Sequence, residues 1–258
     1  MMRALYSSAT GMIAQQLNMD TISNNLANVN TNGYKKSRAE FQDLLYSTIR
    51  TATAQVPTGM QVGAGVRPSS ITTIISSGNM VQTDNPYDLA ITGEGYFRLI
   101  NPNNDAVPFY TRDGSFKLDK EGYLVNADGL RLDGFDPLPE GATDLDINAD
   151  GMISYKNAVG ERVDTGQRIQ LYTFPNPAGL NREGRNLLTQ SEASGEAIGG
   201  DAGADGRGRI AQRYLESSNV QVVDEMVAMI TAQRAYEVNT KAIQTADEML
   251  GQANNLKR

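Results

Sequence analysis

Proline and glycine are confined to the middle of this chain, and their distribution constrains the fold more than any other sequence feature. All nine prolines lie between Pro57 and Pro177, and all but three of the 25 glycines lie between Gly59 and Gly208. Both residues destabilise the interior of a helix. The two ends can therefore form long helices, whereas the middle is typical of short strands joined by turns.

Each end also carries apolar residues at a spacing of seven, which places them on one face of a helix, as a coiled coil requires. We predict one helix from about Arg3 to Val29, stopped by residues 30–33, and another that is capped by Ser218 or Asn219 and ends near Asn254. The N-terminal seam consists of Leu5, Met12, Met19 and Leu26, and the C-terminal seam of Val222, Met229, Tyr236, Ile243 and Leu250.

The middle of the chain has β-rich runs beside four Asp-Gly pairs, which favour tight turns between antiparallel strands. We predict an α+β protein, in which N- and C-terminal helices form a coiled-coil domain and an antiparallel all-β domain lies between them in sequence. The predicted boundaries are 1–50 and 215–258 for the helical domain, 51–68 for a connector, and 69–214 for the β-domain. A Gly-rich loop is predicted at about 176–208.

The composition excludes several classes of chemistry. Cysteine, histidine and tryptophan are absent, so the chain lacks thiolates, imidazole bases and the usual transition-metal ligands. A net charge of −7 without a basic stripe argues against nucleic-acid binding. The sequence contains no run of 18 apolar residues, so we predict no transmembrane helix. The first residues lack the apolar segment of a cleaved signal peptide. We predict no enzymatic activity, no cofactor and no metal.

One segment imitates a calcium-binding loop. Residues 146–157 place Asp146, Asn148, Asp150 and Gly151 at positions 1, 3, 5 and 6 of an EF-hand loop, but Asn157 stands where the bidentate glutamate belongs. The flanking sequences are not helical either. A strand, a turn and a second strand explain the segment better, and a calcium-binding soluble protein or enzyme is kept as the remote alternative.

An asparagine cluster interrupts the first predicted helix. Asn24, Asn25 and Asn28 are unfavourable inside a helix because their side chains compete for backbone hydrogen bonds. They indicate either a fraying helix end or side chains that bond to neighbouring chains in a packed bundle. We favour the second interpretation because Leu26 continues the apolar seam through the cluster.

Neither end is expected to be stable alone in water. Burying a seam side chain contributes about 1.5 to 3 kcal/mol, whereas ordering each residue of a long helix costs about 1 to 2 kcal/mol. Each helix therefore needs the other helix, together with copies from neighbouring subunits. We expect termini that are loose in the monomer and become ordered on polymerisation.

Several stretches resemble the flagellar axial proteins, the family that builds rod and hook. SNNLANVNTNGYKKSRAEFQDLLY (23–46) is similar to the N-terminal signature of that family, and ESSNVQVVDEMVAMITAQRAYEVNTKAIQTADEML (216–250) to its C-terminal signature. DLAITGEGYF (88–97) and YTRDGSFKLDKEGYLVNADG (110–129) resemble its central β-domain. The signature residues singled out here are Asn24, Asn25, Asn28, Gly33, Tyr34, Ser218, Asn219 and Val220.

The resemblance implies a subunit of a helical tube, with the terminal helices in an inner coiled-coil layer. Length, together with the segments 43–50 and 65–71, points within the family to the distal rod, with the proximal rod and the hook as alternatives. In the distal rod the subunit would be part of a rigid drive shaft that passes motor torque to the hook. This location is in the flagellar basal body, where the rod crosses the periplasmic space.

The resemblance also implies partners. They are further copies of the chain, proximal rod proteins, the hook protein, the L- and P-ring proteins and the flagellar type III export apparatus, which secretes subunits without a cleaved signal. Arg213 stands where the family commonly has glycine, and the connector is shorter than in typical distal rod proteins. The rod-specific connector residues are Thr51, Ala52, Thr53, Ala54, Gln55, Val56 and Pro57.

Overall fold

The structure, a computed structural model, describes residues 2–52, 58–102, 108–139, 141–157 and 160–255. Within these ranges, one α-helix lies near each end of the chain and β-strands lie between them in sequence. The chain divides into two compact units. Unit 1 comprises Met1–Ala27, Ser37–Ile74 and Gln221–Arg258, and unit 2 comprises Asn28–Lys36 and Ile75–Val220.

The two predicted terminal helices are confirmed. Helix α1 spans Met2–Ala27 and helix α2 spans Val222–Asn255. The expected stop after α1 is also present, since Gly33 has a φ of +67°, a left-handed backbone that glycine adopts at little cost. The predicted caps of α2 are wrong, because the helix begins at Val222, three residues beyond Asn219.

Unit 1 contains strands as well as helices, which the sequence did not predict. They are β1 (Ser37–Asp43), β2 (Tyr46–Arg50), β3 (Met60–Gly63) and β4 (Val66–Thr73). β1 pairs with β4 and β2 pairs with β3, both antiparallel. The assignment of residues 37–50 to the helical domain and of 51–68 to a connector is corrected here, because β1 and β2 lie in the first segment and pair with β4 and β3, which begin in the second. Thr53, Ala54, Gln55, Val56 and Pro57 lie outside the described residues.

Unit 2 is built from antiparallel strands, as the density of Asp-Gly turns predicts. The strands, all short, are β5 (Met80–Gln82), β6 (Leu89–Thr92), β7 (Phe97–Ile100), β8 (Phe109–Thr111), β9 (Lys117–Leu118), β10 (Leu124–Val125), β11 (Arg131–Leu132), β12 (Thr143–Ile147), β13 (Met152–Lys156), β14 (Arg162–Arg168), β15 (Gln170–Thr173), β16 (Asn181–Gly184), β17 (Leu187–Thr189), β18 (Ile198–Asp201), β19 (Arg209–Gln212) and β20 (Tyr214–Glu216).

These strands form one large sheet and several small ones. The large sheet has the order β16-β17-β8-β7-β11-β10-β9, and a three-stranded sheet has the order β12-β13-β14. Pairs β15-β18, β19-β6 and β20-β5 complete the unit. The pairing of β20 with β5, in which Glu216 lies opposite Met80, places the end of the β-domain sequence beside its beginning.

The core of unit 2 is deep and apolar. Leu89, Ile91, Phe97, Leu99 and Leu124 are each fully shielded from solvent. A second cluster is aromatic, and its rings meet edge to face, the arrangement that the ring quadrupole favours. It consists of Tyr96, Tyr110, Tyr172 and Phe174. Unit 2 therefore has its own hydrophobic core.

The four Asp-Gly pairs have two different structural reasons for their glycine. Gly129, Gly134 and Gly151 have left-handed backbones with φ of +78° or +79°. Gly114 instead permits a close approach, because a Cβ there would lie 1.5 Å from the carbonyl oxygen of Leu89. The predicted turns are confirmed at Gly129, Gly134 and Gly151, whereas at Gly114 the absence of a side chain permits close packing.

The predicted Gly-rich loop at 176–208 is wrong in its description. That segment contains a 3₁₀-helix at Pro177–Gly179 and the strands β16, β17 and β18. Its glycines allow close packing, since a Cβ on Gly199 would lie 2.7 Å from the ring of Tyr172.

Among the described residues, no helix combines the length and the apolar character needed to cross a membrane.

Candidate functional site: assembly surface and signature residues

The two helices of unit 1 pack against each other in antiparallel directions. Asn25 near the end of α1 meets Glu225 near the start of α2, whereas Thr240 donates a hydrogen bond to the sulfur of Met12 nearer the other end. At Gly11 the helices approach so closely that a Cβ would lie 3.0 Å from the side chain of Asn239. The contact is thus a long, close helix pair.

Apart from Ile22, the most buried residues of this pair are small or polar, and none of them belongs to a seam. On α2 the buried positions are Glu225, Ala232 and Ala246, and on α1 they are Ala14, Thr21, Ile22 and Asn25. Glu225, Ala232, Asn239 and Ala246 repeat every seven residues and lie three positions beyond the C-terminal seam. Together with that seam they complete the a and d positions of a heptad.

The predicted seams are only partly covered within one chain. Val222 and Tyr236 of the C-terminal seam are exposed, and its other members, Met229, Ile243 and Leu250, are half-buried. The N-terminal seam residues Leu5, Met12, Met19 and Leu26 are likewise half-buried. The pair of helices therefore leaves apolar surface on both seams.

The asparagine cluster is explained largely by contacts within the chain. The Asn25 side chain donates to the backbone oxygen of Ser37 at 2.8 Å and accepts from the Ser37 amide at 2.9 Å. It also donates to Glu225 Oε2 at 3.2 Å. Asn28 accepts a hydrogen bond from the Thr31 hydroxyl at 3.1 Å. For Asn25, the interpretation that it bonds to a neighbouring chain is corrected, because these three bonds are internal.

Unit 1 exposes most of the large apolar side chains that solvent reaches. Outside unit 1, the described part of the chain exposes three such side chains, Val81, Leu118 and Ile198. Those of unit 1 lie on both helices and on the strands, and they are Tyr6, Ile13, Leu45, Tyr46, Ile49, Met60, Val62, Ile71, Val222, Val223, Met226, Val227, Ile230, Tyr236, Val238 and Met249. Exposed apolar surface on this scale marks an interaction site.

Two parts of this surface are densest. The first turns of α2 carry Val223, Met226, Val227 and Ile230 within eight positions, with Val223 73% exposed. The β2–β3 hairpin and the residue before it form the second part, where Leu45 is 89% exposed. We call the residues of α2 from Val222 to Ile230 the apolar start of α2, and the paired strands β2 and β3 the unit 1 hairpin.

The signature residues that follow α1 lie in unit 2 and contact β20. The amide of Gly33 donates to the backbone oxygen of Glu216 at 2.8 Å. A Cβ on Gly33 would lie 2.7 Å from the backbone carbon of Arg112, so this position excludes any side chain. The ring of Tyr34 lies under the guanidinium of Arg182, which also donates to the backbone oxygen of Lys35 at 2.8 Å.

Glu216 lies at the centre of a buried ionic cluster. Its residue is 1% exposed, and its Oε1 accepts hydrogen bonds from Lys35 Nζ at 2.5 Å and from the Gly78 amide at 2.9 Å. Oε2 accepts from Arg112 Nη1 at 3.0 Å. Lys35 Nζ also donates to the backbone oxygen of Ser76 at 2.9 Å. Both oxygens of the carboxylate are therefore used.

The protonation of this cluster follows from its surroundings. Burial opposes the charge on Glu216, but the nearby positive charges of Arg112 and Lys35 outweigh it, so the pKa of the Glu216 carboxyl is lowered. Burial also lowers the pKa of the Lys35 ammonium, and its hydrogen bond to Glu216 partly offsets this effect. Glu216 is thus a carboxylate at neutral pH.

The signature residues before α2 complete the same region. The side chain of Asn219 accepts from the Lys36 amide at 2.8 Å and donates to the Ser76 hydroxyl oxygen at 3.1 Å. Ser218 is buried, and its hydroxyl accepts from the Val220 amide at 3.3 Å. Val220 is itself buried in unit 2. These contacts explain why Ser218 and Asn219 do not cap α2.

Sequence reasoning missed four of the residues that organise these regions. Glu216, Lys35, Arg112 and Glu225 all lie inside or beside the motifs quoted above, but nothing in their spacing shows that they become buried. One available signal was a lone charge beside apolar residues, as in Tyr214-Leu215-Glu216. Such a pattern fits a solvated side chain equally well.

The calcium-like loop is part of a β-hairpin. Strands β12 and β13 pair with Ile147 opposite Ile153, and Gly151 forms the turn. The carboxylate of Asp146 is ion-paired with Arg162. Within the described ranges, no group of three or more acidic side chains is arranged to hold a metal ion. The segment thus has the predicted strand, turn and strand.

Three family models match successive parts of the chain. The models are described as flagella basal body rod protein (residues 5–35), flagellar hook protein FlgE/F/G D1 domain (90–155) and flagellar basal body rod FlgEFG protein C-terminal (211–256). The first and third cover the signature residues, and the second covers much of the large sheet of unit 2.

Curated relatives match the whole chain. The flagellar basal-body rod protein FlgG of Borreliella burgdorferi is 46% identical over 100% of both chains. The FlgG of Caulobacter vibrioides is 44% identical over 99% of this chain and 100% of its own, and that of Bacillus subtilis is 41% identical over 100% of both. Among solved structures, the hook protein FlgE2 of Helicobacter pylori is 18% identical and covers 62% of this chain and 47% of its own. Its TM-score of 0.25 is too low to support an argument.

Proposed function

This chain belongs to the family of flagellar basal-body rod proteins FlgG and is a structural subunit of the distal rod, and we propose that it polymerises into a rigid helical tube that transmits motor torque to the hook. The observation that supports polymerisation is the exposed apolar surface of unit 1. Water-exposed side chains of this size gain about 1.5 to 3 kcal/mol each on burial, so a neighbouring copy that covers them is favoured.

The terminal helices are proposed to form the inner, coiled-coil layer of the tube. Support comes from the heptad positions of α2, since Glu225, Ala232 and Ala246 are buried by the partner helix while the C-terminal seam retains exposed surface. A coiled coil covers both sets of positions. We propose that seam residues of neighbouring copies complete this packing and that unit 1 gains its final order on assembly.

The unit 1 hairpin is proposed as the rod-specific contact. A two-stranded hairpin is marginally stable alone in water. This one exposes Tyr46, Ile49, Met60 and Val62. Thr51 and Ala52 follow its first strand and begin the connector that continues through Pro57. A neighbouring subunit that packs on the hairpin would stabilise it and stiffen the tube.

The partners and location of the chain are proposed from its family membership. They are further copies of the chain, proximal rod proteins, the hook protein, the L- and P-ring proteins and the type III export apparatus. The rod of the basal body, where it crosses the periplasmic space, is the proposed location. The relatives are named as flagellar basal-body rod proteins, and we propose no catalytic role for this chain.

Immunogold labelling of purified hook–basal bodies from the source bacterium tests this assignment. An antibody against unit 2 should label the rod segment next to the hook, and particles from a strain that lacks the gene should end at the proximal rod. Labelling of the hook itself, or of the proximal segment, would assign the chain to one of the two alternative positions.

A further inference from the structure

The chain passes between the two units at 27–28, 36–37, 74–75 and 220–221. Three segments of unit 2 adjoin these crossings, namely residues 28–36, 75–79 and 216–220. We call them the linking segments. Each of them contributes residues to the buried cluster around Glu216. Within unit 2, this cluster therefore brings together the segments that precede and follow the parts of the chain in unit 1.

The bonds of the cluster connect all three linking segments to one another. Glu216 bonds to Lys35 of the first segment and to Gly78 of the second, and its backbone oxygen accepts from Gly33. Asn219 of the third segment bonds to Lys36 and Ser76. A Cβ on Gly78 would lie 1.9 Å from the backbone oxygen of Ser217, so the second and third segments also touch through their backbones.

One further residue of the cluster, Arg112, lies outside the three linking segments. Arg112 follows β8, and its guanidinium donates to Glu216 Oε2 at 3.0 Å and to the backbone oxygen of Gly93 at 2.6 Å. It also lies over the ring of Tyr96, 5.4 Å from the ring centre. The side chains of Arg112, Lys35 and Glu216 are all at least nine-tenths buried. Arg112 thereby attaches the linking segments to the core of unit 2.

We propose that this cluster is a conformational lock, in which Glu216 is the positioning residue that holds the three linking segments as one cooperative element. The physical reason is charge. The buried carboxylate bonds to Lys35, Gly78 and Arg112, and the loss of any of these bonds leaves a buried charge with fewer partners, which is unfavourable. The segments are therefore released together or not at all. The lock lies wholly within unit 2 and is formed before any subunit joins a rod.

Hydrogen exchange measured by mass spectrometry on the unassembled full-length protein tests the lock. In Glu216→Gln the amides of Gly33, Lys36 and Gly78 should exchange at least tenfold faster than in the natural protein. A tenfold change corresponds to about 1.4 kcal/mol in the free energy of local opening. Strands β7 and β15 should keep their protection. A matched control is Asp133→Asn, a carboxylate-to-amide change elsewhere in unit 2, which should leave the linking segments unchanged.

The second variant, Lys35→Met, tests cooperativity and decides the matter if Glu216→Gln does not fold. The substitution lies in the first linking segment, removes the Lys35 bonds to Glu216 and to the backbone oxygen of Ser76, and leaves the Arg112–Glu216 pair in place. Faster exchange at Gly78 and at Ser217, in the other two segments, is the expected result. Acceleration confined to residues 28–36, or spread equally over β7 and β15, would overturn the proposal. Because the protein is unassembled, these results are independent of whether unit 1 polymerises.

Discussion

The side chain of Asn25 donates a hydrogen bond to Glu225 Oε2 at 3.2 Å, and these residues lie 200 positions apart in the sequence. Both side chains are buried, and Asn25 also forms a paired set of bonds with the backbone of Ser37. One amide therefore connects α1, α2 and the first strand of unit 1. This contact, together with those of Met12 with Thr240 and of Gly11 with Asn239, relates the two helices along their axes.

Replacing Asn25 by alanine should destabilise unit 1 by about 1 to 3 kcal/mol, because it removes the three hydrogen bonds that the Asn25 amide forms with the backbone of Ser37 and with the buried Glu225. Thermal unfolding followed by circular dichroism at the helical wavelength measures the loss. Ser23→Ala, an exposed position on the same helix, is the control and should change stability little. Equal stability of both variants would contradict the structural role of Asn25.

The double substitution Val223→Asp with Val227→Asp should abolish rod assembly and leave the monomer folded. Both side chains are exposed in the single chain, and position 223 lies in the first turn of α2, where an aspartate is favourable. The measurement is rod formation by electron microscopy, together with the melting curve of the purified protein. Gln233→Asp, also at an exposed position of α2, should assemble normally. Normal rods in the double variant would refute the apolar start of α2 as an assembly contact.

Arg213→Gly should stabilise unit 2 by about 0.5 to 1 kcal/mol. Arg213 has a φ of +63°, a left-handed backbone that costs a side-chain-bearing residue free energy and that glycine adopts readily. Glycine also makes the unfolded chain more flexible, which offsets part of the gain in stability. Urea unfolding monitored by tyrosine fluorescence gives the difference. A loss of stability would mean that the Arg213 side chain contributes more than its backbone strain costs.

Gly33→Ala should destabilise unit 2 more than Gly129→Ala does. Both glycines have left-handed backbones, with φ of +67° and +78°, so both substitutions introduce backbone strain. A Cβ at Gly33 would also meet the backbone of Arg112 at 2.7 Å, whereas at Gly129 no atom lies within 4 Å. The loss of unfolding free energy in Gly33→Ala minus the loss in Gly129→Ala gives the steric contribution. A difference near zero would contradict the close packing of the signature segment.

Acid should weaken unit 2 through Glu216. The pKa of its carboxyl is lowered from the ordinary value of 4.5, so its contribution to stability is fully present above that value and is lost as pH falls through the lower pKa of the folded state. The gap in melting temperature between the natural protein and Glu216→Gln should therefore narrow between pH 7 and pH 3. A gap that is independent of pH would show that the carboxylate is not the source of the stabilisation.

The sequence by itself determined the terminal helices, the antiparallel middle and the family. Proline and glycine decide locally where a helix is possible, and Asp-Gly pairs decide locally where a strand turns. Those signals depend on residues close together in the chain, as at Gly129, Gly134 and Gly151. The signature segments could be recognised for the same reason, because each is a continuous stretch.

Only the tertiary structure decided what depends on distant partners. Residues 37–50 and 58–73 became strands because they pair with each other, and Ser218 and Asn219 lost their predicted capping role to bonds with Val220, Lys36 and Ser76. Glu216 and Lys35 became buried because two cations and one carboxylate meet across long stretches of sequence. Charge patterns in a sequence do not specify such meetings, since burial of a charge depends on which partners the fold brings within hydrogen-bonding distance.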